Sequence, residues 1–145
     1  MDNYSNLLDI VNAFRFQKGD YDGAEKQLLL FTENYSTLSA NKAELLRNQF
    51  DAKDRLGWLR LASTLFTKDF SKADPLRKEK LCRMFFALYS FENLEFGFDG
   101  VMDIDAVSDQ IKAVPEIATK CWAQFKALTS NDVAKENLET RLFSS

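Results

Sequence analysis

The strongest structural signal in this sequence lies in residues 74–91, which read Asp74-Pro75-Leu76-Arg77-Lys78-Glu79-Lys80-Leu81-Cys82-Arg83-Met84-Phe85-Phe86-Ala87-Leu88-Tyr89-Ser90-Phe91. Asp followed by Pro is typical of a helix start, because Asp caps free backbone N–H groups and Pro fits the first helical position. From Leu81 onward the segment has almost no polar face, as in a helix that is buried on all sides. We therefore predict a central, buried helix from Pro75 to about Phe91.

The composition around this helix indicates an all-α fold. The chain has 145 residues, of which 46% are hydrophobic, and it contains thirteen Phe. These values predict a single domain over residues 1–145 with a sizeable core. The five Gly and two Pro are too few for the many turns of a β-sandwich or barrel. We expect an irregular bundle of about six to seven helices.

Six further segments complete the predicted bundle. Their apolar residues recur at helical spacing, which predicts helices over residues 5–18, 20–35, 40–68, 105–113, 115–128 and about 131–142. Ser39 is the expected cap of the third of these helices, and Ser130 or Asn131 that of the last. Residues 93–103 hold closely spaced glycines and predict a loop or a short hairpin.

The residue types that are missing exclude several kinds of site. The chain has no His, which excludes a Ser-His-Asp triad, a Cys-His pair and a His-ligated zinc ion. Cys82 and Cys121 lack the spacing of a zinc site, and we interpret them as free, buried thiols in a reducing compartment. Glycine-rich nucleotide motifs and the GxSxG elbow are absent. We therefore predict no catalytic residue, cofactor or metal.

The sequence predicts neither a targeting segment nor a membrane span. The N-terminus lacks a basic region followed by a long apolar run. The apolar run Leu28-Leu29-Leu30-Phe31 is far shorter than the roughly 20 residues of a membrane helix. We expect a soluble cytoplasmic protein that does not associate with membranes.

Charge is distributed unevenly along the chain. Residues 1–41 hold six acids and three bases, residues 42–83 hold eleven bases and six acids, and residues 84–145 hold ten acids and five bases. The net charge of −3 therefore hides a basic middle and an acidic C-terminal third. Two interpretations stay open: the asymmetry marks an interaction surface, or the three parts neutralise each other in the fold.

Residues 17–24 read Gln-Lys-Gly-Asp-Tyr-Asp-Gly-Ala, with Gly19 suited to a turn and Asp20 to a helix cap. This run resembles the turn between the two helices of a tetratricopeptide repeat. The resemblance covers residues 4–37, and Asn12 and Arg15 depart from the family's pattern. It implies a helical hairpin that binds a peptide or protein in a groove and catalyses nothing. A generic αα-hairpin is the alternative.

The candidate partner-binding residues form two groups. The first group combines loop acids with two aromatic anchors: Phe96, Phe98, Asp99, Asp103 and Asp105. The acids do not follow the spacing of an EF-hand, so we interpret them as surface charges rather than calcium ligands. The second group is a basic patch at the start of the central helix, formed by Arg77, Lys78 and Lys80. Trp58 and Trp122 are predicted to lie in the core.

These observations predict a non-enzymatic module that binds a protein or peptide partner. The alternative is an immunity- or antitoxin-type inhibitor, whose acidic segments, above all residues 84–145, neutralise a basic toxin. Two other classes are weaker: an enzyme with carboxylate or Lys chemistry, and a nucleic-acid-binding protein that uses residues 42–83, for which the acidic net charge is unfavourable. A homodimer through an exposed apolar helix face is also open.

Overall fold

A computed structural model describes residues 4–14, 21–93 and 104–143 of the chain. Over these residues the chain forms eight α-helices and one 3₁₀ turn, without a strand, which confirms the all-α bundle and adds one helix to the expected six to seven. The helices are α1 (Tyr4–Phe14), α2 (Tyr21–Tyr35), α3 (Ala40–Arg47), α4 (Ala52–Asp69), α5 (Pro75–Glu92), α6 (Ile104–Lys112), α7 (Pro115–Lys126) and α8 (Asp132–Leu142), and the 3₁₀ turn is Phe70–Lys72.

Polar side chains cap the helices where the sequence predicts them. Ser39, Asp74 and Asn131 each accept a hydrogen bond from a backbone N–H in the first turn of α3, α5 and α8, at 3.2, 2.8 and 2.9 Å. These N–H groups have no partner within the helix itself, so each cap removes an unsatisfied donor. Pro75 follows the Asp74 cap at the first position of α5, as expected.

The prediction of one helix over residues 40–68 is wrong. The chain leaves the helix after Arg47 and begins α4 at Ala52. Between these helices Phe50 enters the core, where the centroid of its ring lies 5.6 Å from that of Trp58 and 6.3 Å from that of Phe91. Burial of this aromatic side chain offsets the helical hydrogen bonds that the break removes.

The central position predicted for α5 is confirmed. All residues from Met84 to Phe91 are buried, and α5 packs against α2, α3, α4 and α7. Aromatic rings from these neighbours surround it: Phe31 contacts Phe91, with ring centroids 5.0 Å apart, and Trp122 contacts Phe86 at 5.7 Å. Trp58 and Trp122 both lie in the core, as predicted.

The N-terminal helices α1 and α2 pack against each other. The predicted end of the first helix at Lys18, and the turn residues Gly19 and Asp20 that carry the tetratricopeptide resemblance, lie outside the described residues. α2 itself ends at Tyr35, as predicted.

Candidate protein-binding surface

Two members of the predicted basic patch have partners within the fold. Nη2 of Arg77 lies 2.6 Å from the Glu25 carboxylate and 2.8 Å from that of Asp69. The hydrogen bond to Asp69, reinforced by Glu25, raises the pKa of the Arg77 guanidinium. Nζ of Lys78 lies 5.4 Å from the centroid of the Phe70 ring, within the range of a cation–π contact. The patch therefore helps to join α5 to α2 and to the end of α4.

Of the next two bases in α5, Arg83 also pairs with an acid of α2, whereas Lys80 does not. Lys80, the third predicted member, is exposed and forms no ion pair with any described residue. Nη1 of Arg83 lies 2.6 Å from the Glu33 carboxylate of α2, and its Nε donates to Gln124 of α7 at 3.2 Å. Acids of the N-terminal part and arginines of the basic middle thus neutralise each other where α2 meets α5.

The predicted acidic group has one member within the described part of the chain. Asp105 lies exposed in the first turn of α6, and its Oδ1 is 3.4 Å from Nη1 of Arg141 on α8. The other predicted members lie outside the described residues: Phe96, Phe98, Asp99 and Asp103.

Besides Asp105, four acids of the last three helices are exposed, and we call these four the C-terminal acids: Asp109, Glu116, Asp132 and Glu136. Asp109, Glu116 and Glu136 form no ion pair with a described residue. The Asp132 side chain is 96% exposed and lies 3.6 Å from Nζ of Lys135, an arrangement that contributes little energy in water. Negative charge therefore stays at the surface of this third of the chain.

A buried arginine joins three helix ends. Arg47, the last residue of α3, donates hydrogen bonds to the carbonyl oxygens of Ser90 and Phe91 in α5, both at 2.9 Å, and of Leu128 after α7, at 3.0 Å. It also forms an ion pair with Glu44, one turn earlier in α3. Carbonyl groups at helix C-termini lack partners within the helix and carry partial negative charge, so a buried cation stabilises them.

The carboxyl group of Glu92 lies beside this junction. Burial raises the pKa of Glu92 to about 7, against the opposing effects of Arg55 and Arg47. Nη1 of Arg55 donates to the backbone carbonyl of Glu92 at 3.2 Å, and burial lowers the pKa of Arg55. Within the described chain, Oε2 of Glu92 and Nε of Arg55 are buried without a hydrogen-bond partner. The protonation state of Glu92 therefore changes close to neutral pH.

Asn93 fixes the end of α5 to the start of α8. Its backbone is left-handed, with φ 59°, a conformation that Asn tolerates better than most residues. Its Nδ2 donates to Oγ of Ser130 at 3.0 Å, and its Oδ1 accepts from the backbone N–H of Asn131 at 2.9 Å. Oγ of Ser130 in turn donates to Glu44 of α3 at 2.9 Å. A continuous hydrogen-bond network thus links α3, α5 and α8.

Four large apolar side chains are exposed in the described structure: Leu30 by 42%, Leu45 by 51%, Leu76 by 64% and Val133 by 51%. Leu45 adjoins Glu44 on α3, and Val133 lies in the first turn of α8, three residues after Ser130. Both therefore belong to the elements that the Glu44–Ser130 hydrogen bond joins.

Cys82 and Cys121 are free and buried, as predicted. Burial raises the pKa of both thiols, that of Cys121 to about 11. Sγ of Cys121 lies 3.9 Å from the carbonyl oxygen of Glu79. Both side chains act as core residues where α5 meets α7.

The sequence had not singled out Arg47, Glu92 or Asn93, and it marked Ser130 only as a possible cap of the last helix. Their roles come from partners that lie far away in the chain, so no local motif marks them.

No family model, curated protein or solved structure matches the chain. Among the described residues, no three Cys, Asp or Glu side chains are grouped so that they could hold a metal ion. The described helices include none long and apolar enough to cross a membrane.

Proposed function

We propose that this protein is a non-enzymatic module that binds a protein partner through the negative charge of its C-terminal third. One observation carries this proposal: three arginines of the basic middle are neutralised within the fold, whereas several acids of the last three helices are not. Arg47, Arg77 and Arg83 of the basic middle form ion pairs. Three of the four C-terminal acids form none with any described residue.

The exposure of these acids favours a role outside the fold. Charges at the surface contribute little to stability, and like charges on one part of a molecule repel each other. A partner with a basic surface would relieve that repulsion and would be drawn in by long-range attraction. Arg47, Arg77 and Arg83 of the middle are less suited to hold a partner, because their charges are already matched within the chain.

The same acids support a second candidate, an immunity- or antitoxin-type inhibitor. Such a protein would use the C-terminal acids to cover a basic active site on a toxin. The two candidates differ in consequence, because an inhibitor abolishes the activity of its partner. Co-expression separates them: an inhibitor restores growth to cells that make the product of a toxic neighbouring gene, and a binding module of another kind does not.

Affinity purification of the tagged, full-length chain from its own cells tests the proposal. The purification is run at about 0.05 M and about 0.5 M salt, which shortens the range of surface electrostatics. We expect a stoichiometric, basic partner at low salt and its release at high salt. The variant D109N/E116Q/D132N/E136Q should lose the partner at low salt, whereas the control D9N/D51N, with two exposed acids of the first half removed, should keep it. An empty purification, or equal recovery by the fourfold variant, would overturn the proposal.

A further inference from the structure

We infer that two copies of this chain pair through the outer face of α5, with Leu76 at the centre of the contact and Lys80 of each copy against Glu116 of the other. The inference goes beyond the proposed function, which needs no second copy. It rests on the register of α5 against α7, on the exposure of Leu76, and on one base and one acid that the described fold leaves unmatched.

Two contacts fix the register of α5 against α7. Nζ of Lys120 lies 3.0 Å from the Glu79 carboxylate. Four residues further along both helices, Nε of Arg83 donates to Gln124 at 3.2 Å. The two helices therefore run side by side in the same direction at this point. Glu116 lies one turn before Lys120 on α7, which places it level with the first turn of α5.

Leu76 and Lys80 form the outer face of the first two turns of α5. They are four residues apart, so they lie one above the other on the same side of the helix. Leu76 is 64% exposed and Lys80 is also exposed, whereas the three residues between them are partly covered. A second surface that covers Leu76 removes this apolar side chain from water, which favours association.

The charges on both flanks of this face are matched within the chain. Arg77 forms ion pairs with Glu25 of α2 and Asp69 of α4, and Glu79 forms one with Lys120 of α7. Two identical faces of this kind can approach each other, because neither carries a large net charge of one sign.

The other charges in the first turn of α5 are engaged as well. The Asp74 carboxylate accepts a hydrogen bond from a backbone N–H of its own helix at 2.8 Å, and Nζ of Lys78 lies 5.4 Å from the centroid of the Phe70 ring. Lys80 and Glu116 remain, both exposed and without an ion pair to any described residue. This face of the described chain thus carries one unmatched base and one unmatched acid.

A twofold axis over the face brings these two charges together. In an antiparallel pair of α5 helices centred between Leu76 and Lys80, each Lys80 lies opposite Leu76 of the other copy. Because Glu116 is level with Leu76, the Lys80 ammonium also comes to Glu116 of the other copy. The aliphatic part of the lysine covers Leu76 while its charge is matched, and the symmetry makes this contact twice.

Sedimentation equilibrium of the purified full-length chain tests the pairing. We expect the average mass to rise with concentration, up to about 1 mM, from 16.7 kDa towards that of two chains and no further. L76S should raise the dissociation constant about tenfold. The matched control is L45S, because Leu45 is 51% exposed on α3, which meets the other end of α5; it should associate like the wild type.

Charge exchange tests the contact between Lys80 and Glu116 directly. K80E and E116K should each associate about tenfold more weakly than the wild type, since each places like charges opposite one another. An equimolar mixture of K80E and E116K should form a mixed dimer, because the opposite charges then meet at both contacts. The double variant K80E/E116K should regain the affinity of the wild type. The control K53E, at an exposed base of α4, should leave the association unchanged.

Several results would overturn the inference: a monomer at every concentration, undiminished association of L76S, or no recovery when K80E and E116K are mixed. A mass that rises beyond two chains would indicate a head-to-tail contact and contradict the twofold arrangement. Circular dichroism checks that each variant is folded. The purified chain is studied alone, so these results do not depend on the basic partner of the proposed function.

Discussion

Arg47 and Ser90 are 43 residues apart in the sequence, and Nη2 of Arg47 donates to the carbonyl oxygen of Ser90 at 2.9 Å. The same guanidinium binds the carbonyls of Phe91 and Leu128, so that three helix ends meet at one buried cation. A buried charge is costly unless its donors find partners. Removal of the Arg47 guanidinium therefore leaves the carbonyl groups of Ser90, Phe91 and Leu128 without this donor.

Replacement of Arg47 by Met should lower the free energy of unfolding by about 3 kcal/mol, because the carbonyls of Ser90, Phe91 and Leu128 lose their donor. Urea denaturation followed by circular dichroism measures the change. The control K53M removes an exposed base from α4 and should stay within about 0.5 kcal/mol of the wild type. Equal losses in the two variants would show that the Arg47 contacts contribute nothing.

Glu92 should make stability depend on pH. Burial raises its pKa from the ordinary 4.5 to about 7, so between these values the folded chain holds a proton that the unfolded chain has released. The contribution of Glu92 to stability is therefore complete when the pH is below the ordinary pKa, and it is lost as the pH rises through the raised pKa of the folded chain. The variant E92Q keeps the neutral form at every pH, and should be more stable than the wild type by about 1–2 kcal/mol at about pH 8 and by little at about pH 5.

Denaturation of wild type and E92Q at both pH values checks this expectation. E116Q is the matched control, since it makes the same substitution at an exposed glutamate on α7; the gain from E92Q should exceed the effect of E116Q at about pH 8. A gain from E92Q that did not grow with pH would contradict the assignment.

The caps of α4 and α5 allow a paired test. The Asp74 side chain accepts a hydrogen bond from the backbone N–H of Arg77 at 2.8 Å, whereas Asp51, at the equivalent position of α4, makes no such bond. D74A should therefore lose about 1 kcal/mol and D51A only a few tenths. Both variants remove one negative charge from a helix start, so the difference isolates the hydrogen bond. Thermal unfolding measures the stability of both variants. Equal losses of stability in D74A and D51A would refute the role of the Asp74 hydrogen bond.

The two thiols should be unreactive in the folded protein. Only a thiolate attacks a disulfide reagent, and burial both shields Cys82 and Cys121 and raises their pKa, that of Cys121 to about 11. We expect no rapid reaction with a coloured disulfide reagent at about pH 8 in native buffer, and reaction of both thiols in denaturant. Rapid modification of either thiol without denaturant would show that the core is open there.

Local signals in the sequence predicted the helix starts well. Ser39, Asp74 and Asn131 accept hydrogen bonds from N–H groups within three residues of themselves. Donor and acceptor therefore both lie in one short stretch of sequence. The break after Arg47 was missed because it depends on Phe50 finding the rings of Trp58 and Phe91. Helical periodicity continues through this point and gives no sign of those distant rings.

The candidate site was harder to predict. The chain has eleven bases in residues 42–83, and nothing in their spacing marks Arg47 as the buried one. The raised pKa of Glu92 is likewise a consequence of burial, which only the packed helices create. The uneven charge was visible in the sequence, but the ion pair between Arg77 and Glu25 needed the fold to bring α2 beside α5.

Because α5 is the central helix but follows α2, α3 and α4 in the sequence, these three helices are synthesised before the helix against which they pack. Phe31 of α2 packs against Phe91 with the two rings tilted, and Tyr35 of α2 stacks on Phe125; the ring centroids are 5.0 and 6.0 Å apart. A ribosome releases α2, α3 and α4 before either of those partners exists. Until Phe91 emerges, the nascent helices expose the apolar faces that will become the core, and this is the interval in which a growing chain aggregates or needs a chaperone.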